Sequence, residues 1–268
     1  AVVTMDEKGQ YVIPLLSGHI GGANRLAAHI ARLLDGKAVA VITTATDINQ
    51  IFAVDSWAKE NGYSIQNPKR IKVVSAKLLD GKTASIQSDF PIDGLLPEAL
   101  FLSRETDAVD IRFTYREKSD WSESLCLSPP VLVLGVGCRK GTLKTDLEGA
   151  FFQVCTAHGL WPGAFSSVCS IDLKKEEAGL LAFCANHGWS LRTFSAEVLQ
   201  KAPGEFSGSA FVSSVTWVDN VCERSAGLGS GGKLVVKKFV DGGITIAVAA
   251  HPGTGSIEDN RGRRMRCT

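Results

Sequence analysis

The sequence predicts an α/β protein: two domains with mostly parallel sheets in three layers, and a small α+β middle segment between them. Three observations carry this. The 27 glycines cluster at turns between apolar runs and helical patterns. Residues 11–43 read as strand, glycine turn, helix and strand, a βαβ unit. Val131–Val136 is wholly apolar, as in a strand buried on both faces.

Residues 1–50 read as the remainder of an N-terminal α/β domain. A first strand runs into a turn near Gly9, and Tyr11–Leu16 is the next strand. From Gly22 to Asp35 the period becomes helical, with Leu26, Ala27, Ile30, Ala31 and Leu34 on one face and Arg25, His29 and Arg32 on another. Gly36 stops the helix, and residues 38–43 form the closing strand. One βαβ unit is a thin start for such a domain, so an earlier portion of it is expected. Residues 51–130 form the middle segment. It holds helices over 51–61 and 68–81, strands over 83–87 and 109–115, and a loop over 90–97, and it ends at Pro129-Pro130. Residues 131–250 form the C-terminal α/β domain. Its strands are expected at 131–136, 164–171, 190–194, 233–236 and 244–249, and its helices at 142–158, 175–187, 195–202, 207–215 and 220–228. Residues 251–268, with their basic run, read as a disordered tail.

Composition narrows the function. With 29 Lys+Arg against 28 Asp+Glu, the net charge of +1 gives no bulk electrostatic case for nucleic acid or an anionic membrane. No apolar run approaches the roughly 18 residues of a membrane span. Seven cysteines, never spaced C-x-x-C, suit reduced thiols in a cytoplasm better than disulfides or a zinc site, so no protein metal site is expected.

Four loops could do chemistry. In the first, Ser17, Gly18, His19, Gly21, Gly22 and Asn24 lie between a strand and a helix, where unpartnered helix N–H groups receive anions and His19 could transfer a proton. A tight turn capped by Ser17 or Asn24 explains the same residues. The second, Gly135 to Thr142, misses both the dinucleotide spacing and the Lys-Ser/Thr order of a P-loop. What remains is a glycine loop (Gly137, Cys138, Arg139, Lys140, Gly141, Thr142) that seats carboxylates, or a turn with solvated basic residues. The third places Asp172 and Lys174 at the end of the following strand, facing the second loop or paired with each other. In the fourth, Asn220 and Glu223 fit a capping box, while Asp219 and Arg224 could reach a ligand.

Taken in order, the stretches LLSGHIGGAN (15–24), ITTATDIN (42–49), FAVDSWAKENG (52–62), SDFPIDG (88–94), LGVGCRKGT (134–142), SIDLKKEEAGL (170–180) and VDNVCERSA (218–226) resemble the cobalamin biosynthesis protein G family. That resemblance covers roughly residues 5–250. It implies cobalt-precorrin-5A hydrolase activity: water opens a δ-lactone on a cobalt-bound tetrapyrrole, and acetaldehyde leaves. It also implies a tetrapyrrole partner, with no nucleic acid or membrane, and no cofactor of the protein's own, cobalt being carried by the substrate. A homodimer and transient contacts with other corrin-pathway enzymes stay open. Under this reading His19 is base or acid, Asp47 or Asp172 orients it or replaces it, and Arg139, Lys140 and Lys174 hold carboxylates or the oxyanion. Thr44, beside Asp47, joins the binding set. The alternatives are a corrinoid carrier without turnover, and nucleotide binding at residues 135–142.

Overall fold

The computed structural model describes residues 1–16, 18, 21–35, 37–42, 52–90, 92–93, 96–103, 109–117, 123–206, 218–252 and 255–256. The expected helix over 207–215, the stop at Gly36 and nearly all of the tail lie outside these residues.

At the N-terminus, β1 (Val2–Met5) and β2 (Tyr11–Leu16) form an antiparallel hairpin. The Asp6 carboxylate closes its turn by accepting the backbone N–H groups of Gln10 and Tyr11, each at 2.6 Å. Next come α1 (Ala23–Leu33) and β3 (Val39–Ala40), which pairs in parallel with β2. The expected βαβ unit is therefore present. The helix buries Ala23, Asn24, Ala27 and Ala31, whereas Leu26, expected on the inner face, is exposed. Alanines at the contact centre its stripe away from Leu26.

The middle region carries α2 (Val54–Glu60), β4 (Ser64–Ile65), a 3-10 turn at Pro68–Arg70 that runs into α3 (Ile71–Leu79), β5 (Ala84–Ser88), β6 (Ile92–Asp93), β7 (Leu100–Leu102), β8 (Ile111–Phe113) and β9 (Leu125–Ser128). Expected as α+β, it holds a sheet of order β4-β9-β8-β5-β7 in which only the β4–β9 pairing is antiparallel. Val54, Trp57, Ala58, Val74 and Leu78 from the helices pack on Ile86, Ile111, Phe113, Leu125 and Leu127. Trp57, Tyr63 and Phe113 meet edge to face, at 5.4–5.6 Å between centroids.

The C-terminal region comprises β10 (Leu132–Gly137), α4 (Lys144–His158), β11 (Phe165–Ile171), α5 (Ala178–His187), β12 (Ser190–Phe194), α6 (Ala196–Gln200), α7 (Val221–Ser230), β13 (Lys233–Asp241) and β14 (Ile244–Ala250). Its sheet order is β12-β11-β10-β14-β13, with β10, β11 and β12 parallel and β14 antiparallel to both neighbours. Two unlike faces give three layers. Leu132, Leu134 and Val136 of β10 join Leu147, Phe151, Leu180 and Phe183 of α4 and α5 in the main core. On the other face the residues are small: Ala247 and Ala249 pack on Cys222 and Ala226 of α7. A Cβ on Gly135 would overlap the Cys222 carbonyl, so the missing side chain lets α7 lie against the strand. The strand expected to stop at residue 236 continues to Asp241, because register shifts between Leu234 and Phe239 break its alternation.

Arg25 of α1 pairs with Glu60 of α2 at 2.8 Å. The middle and C-terminal regions meet where Trp161 donates from Nε1 to Ser64 Oγ, and from its backbone N–H to Tyr115 O, both at 2.9 Å. Past residue 252, β15 (Gly255–Ser256) pairs in parallel with β6, so those two tail residues are in a strand.

Candidate functional site

Three parallel strands end on one side of the C-terminal sheet, at Gly137, Ile171 and Phe194. In such sheets ligands sit beyond the carboxyl ends. Two further pieces reach the same edge. The close approach of α7 to β10 brings its first turn there, with Val221 Cβ 3.8 Å from where a Cβ on Gly137 would lie. The β13–β14 turn arrives because Gly137 pairs with Thr245, whose Oγ1 donates to the Gly137 carbonyl at 3.3 Å.

The glycine loop at the tip of β10 is closed by Thr142 Oγ1, which donates to the Arg139 carbonyl at 2.9 Å, and by a positive φ of 77° at Gly141. Arg139 and Lys140 are exposed. The Arg139 side chain lies across Gly243, where a Cβ would come within 2.6 Å of its Nε. Cys138 is half-buried, and burial pushes its thiol up while Lys174 pulls it partly back. A thiol so biased is a poor nucleophile at neutral pH.

A residue absent from the sequence-based set ties this loop to the next. One oxygen of Glu177 accepts the Gly141 N–H at 2.7 Å, and the other meets Lys174 Nζ at 2.9 Å. The two side chains are only 9% and 13% exposed. Lys174 and then the Gly141 N–H hold the Glu177 carboxyl below its ordinary range. One signal could have found it: a glutamate three residues after Lys174, directly before a helix. Asp172 is exposed at the tip of β11, and the anticipated Asp172–Lys174 pair is replaced by Lys174–Glu177.

In the fourth loop the fold claims most of the side chains. Asn220 caps α7 by accepting the Glu223 N–H at 3.0 Å. The fully buried Glu223 carboxylate also accepts the Lys238 N–H at 2.7 Å, within the irregular stretch of β13. Arg224 bonds Asp219 at 2.8 Å and the Leu199 and Gln200 carbonyls at 3.2 Å, and lies over the Phe206 ring. Asn220, Glu223 and Arg224 thus stand in the wall of the candidate site, held by bonds within the fold, and Asp219 anchors Arg224.

In the first loop, Gly22 (φ 78°) precedes α1, and the Asn24 N–H donates to the Gly18 carbonyl at 2.8 Å. Asn24 is buried with its side chain against Gly18, and Gly21 is half-buried. Ser17, His19, Thr44 and Asp47 lie outside the described residues. Among the described residues no His, Cys, Asp and Glu cluster could hold a metal ion, and no helix is long and apolar enough to cross a membrane.

Fold and loops together define an α/β protein that gathers Arg139, Lys140 and Lys174 at the strand tips of its C-terminal sheet. Residues 1–47 match the family described as cobalamin synthesis G N-terminal, and residues 132–249 match cobalamin synthesis G C-terminus. A protein named cobalt-precorrin-5A hydrolase from Salmonella typhimurium is 32% identical, over 92% of this chain and 74% of that one. A protein of the same name from Priestia megaterium is 29% identical, over 94% and 72%. Protein CobE from a Sinorhizobium species is 28% identical over 44% of this chain and 79% of its own length. The chain belongs to the cobalamin synthesis G family.

Proposed function

We propose that this protein hydrolyses cobalt-precorrin-5A, opening its δ-lactone with water and releasing acetaldehyde to give cobalt-precorrin-5B. The observation that carries the reading is the gathering of Arg139, Lys140, Lys174 and the glycine-loop amides beyond the ends of β10 and β11, on a chain whose net charge is only +1. A tetrapyrrole edged with acetate and propionate groups meets its counter-charges there.

In this mechanism a base removes a proton from water and the resulting hydroxide adds to the lactone carbonyl. The acyl–oxygen bond then breaks, leaving a carboxylate and an alkoxide. The alkoxide collapses to acetaldehyde as the adjoining carbon–carbon bond breaks, and the ring carbon takes up a proton. A placed base contributes about 10²–10⁴-fold, and an aimed oxyanion donor about 10²–10³-fold. His19 is assigned as the base, with Asp47 its orienter and Asp172 the alternative at the β11 tip. Arg139, Lys140 and the loop amides hold carboxylates or the oxyanion. Cobalt enters and leaves with the substrate. A cytoplasmic location belongs to the reading, supported by free thiols at Cys138, Cys155, Cys169, Cys184 and Cys222.

The test mixes protein and cobalt-precorrin-5A without oxygen and follows acetaldehyde through alcohol dehydrogenase and NADH. Turnover is expected. Arg139→Ala should weaken substrate binding about tenfold, equivalent to about 1.4 kcal/mol. His19→Ala should bind without turning over. Tight binding with no aldehyde from the unaltered protein would replace the hydrolase with a carrier.

A further inference from the structure

We propose that Glu177 is a positioning residue that holds the glycine loop and Lys174 in register to receive the substrate's carboxylates. Its two oxygens reach two different loops, one at the Gly141 N–H (2.7 Å) and one at Lys174 Nζ (2.9 Å). It sits at the N-cap of α5, a ten-residue helix whose N-terminus favours its charge.

A carboxylate on an amide and an ammonium is the contact a substrate acid would make, so Glu177 could instead be a plug that substrate expels. The packing favours a fixed clamp. A Cβ on Gly179 would overlap the Thr142 carbonyl, so the first turn of α5 is seated directly against the loop. Glu177, one residue before that turn, therefore has its backbone held beside the loop, with its carboxylate already on the Gly141 N–H. Its side chain is 9% exposed, whereas Arg139 and Lys140 lie open to solvent. Substrate therefore approaches the outer side of the loop while Glu177 braces the inner side. The Lys174 half of the brace needs the carboxyl ionised, and Lys174 and the Gly141 N–H both favour that form.

The kinetic part of this inference rests on the hydrolase reading; the structural part does not. Glu177→Ala and Glu177→Gln are compared with the unaltered protein by steady-state acetaldehyde release and by amide hydrogen exchange at Gly141. Glu177→Ala removes both contacts. Its KM should rise about tenfold, a loss of about 1.4 kcal/mol, with kcat held within about twofold, because the residue does not touch the reacting atoms. Exchange at Gly141 should speed up. Glu177→Gln keeps an acceptor for the amide but loses the ionic partner of Lys174. Gly141 exchange should then stay near that of the unaltered protein while KM rises about threefold. Should Glu177→Ala fail to fold, the Gln variant decides the matter by the same split. A folded Ala variant with KM at or below the original value would make Glu177 a plug, and a fall in kcat at constant KM would make it part of the chemistry; either overturns the proposal. If the unaltered protein releases no acetaldehyde, the hydrolase reading fails. The corrinoid Kd, read from its visible spectrum, then replaces KM and tests the role of Glu177 in the same way.

Discussion

Gly135→Ala tests the contact that builds the site's wall. The added Cβ would overlap the Cys222 carbonyl and lie 2.9 Å from Ala226 Cβ, so the obstruction is helix backbone rather than a side chain that can rotate away. Relief requires α7 to move off β10, disturbing the packing of Cys222 and Ala226 on Ala247 and Ala249 and the Glu223–Lys238 bond. Overpacking of this kind costs about 1–3 kcal/mol, and backbone involvement places Gly135→Ala near the upper end. The same helix supplies the control. A methyl group added at Gly227 would have nothing within 4 Å, so Gly227→Ala should gain about 0.5–1 kcal/mol from helix propensity alone. Urea unfolding at 25 °C, followed by circular dichroism, should move the two midpoints in opposite directions, separated by about 3–4 kcal/mol when both effects are combined. Amide exchange should accelerate at Lys238 in Gly135→Ala and stay unchanged in Gly227→Ala. Equal midpoint shifts, or a Gly135→Ala protein as stable as the original, would refute the argument that the missing side chain seats the helix.

The Asp110 carboxylate accepts Lys77 Nζ at 2.7 Å and both the N–H and Oγ–H of Ser85; burial raises its pKa, but these bonds outweigh it and leave the group below 3.8. A depressed folded pKa gives stability that is present above the unfolded value and lost as pH falls through the folded one. Asp110→Asn should therefore cost about 1–2 kcal/mol at pH 7, and that difference should shrink below pH 3.8 in urea melts; a pH-independent difference would refute it. Burial pushes the Cys169, Cys184 and Cys222 thiols up to about 11 and Cys155 to about 12. With Ellman's reagent at pH 8, Cys138 should react first among the described cysteines and these four only on unfolding; rapid labelling of native Cys222 would count against the packing of α7.

Much of this architecture was legible because the C-terminal strands and helices are long relative to their punctuation. The strand at residues 190–194 falls at its predicted bounds, and the helix ending at His158 stops where Gly159 takes a positive φ. The strands Leu100–Leu102 and Leu125–Ser128 were not legible. Three or four residues cannot display a period, and these become strands only because β5 and β8 offer ladders to them. The same division separates the site residues. Arg139 and Lys174 could be picked out because their neighbours are glycines and strand ends, a local property. Spacing from Lys174 separates Glu177 from Glu176 only weakly: both precede the same helix, and the docking of the loop against Gly179 is what makes Glu177 its partner. Glu223 was legible only in part. Its capping role was readable four residues at a time, but its carboxylate serves an N–H within an irregular stretch of β13, and that irregularity exists only once β13 has paired with β14. Sequence pattern therefore reaches the groups a ligand would meet first, whereas the groups that aim them are set by pairings between distant segments. For that reason substitutions at Glu177 and Gly135 report on the site more sharply than substitutions at the exposed Lys140, whose side chain any solvated turn could carry.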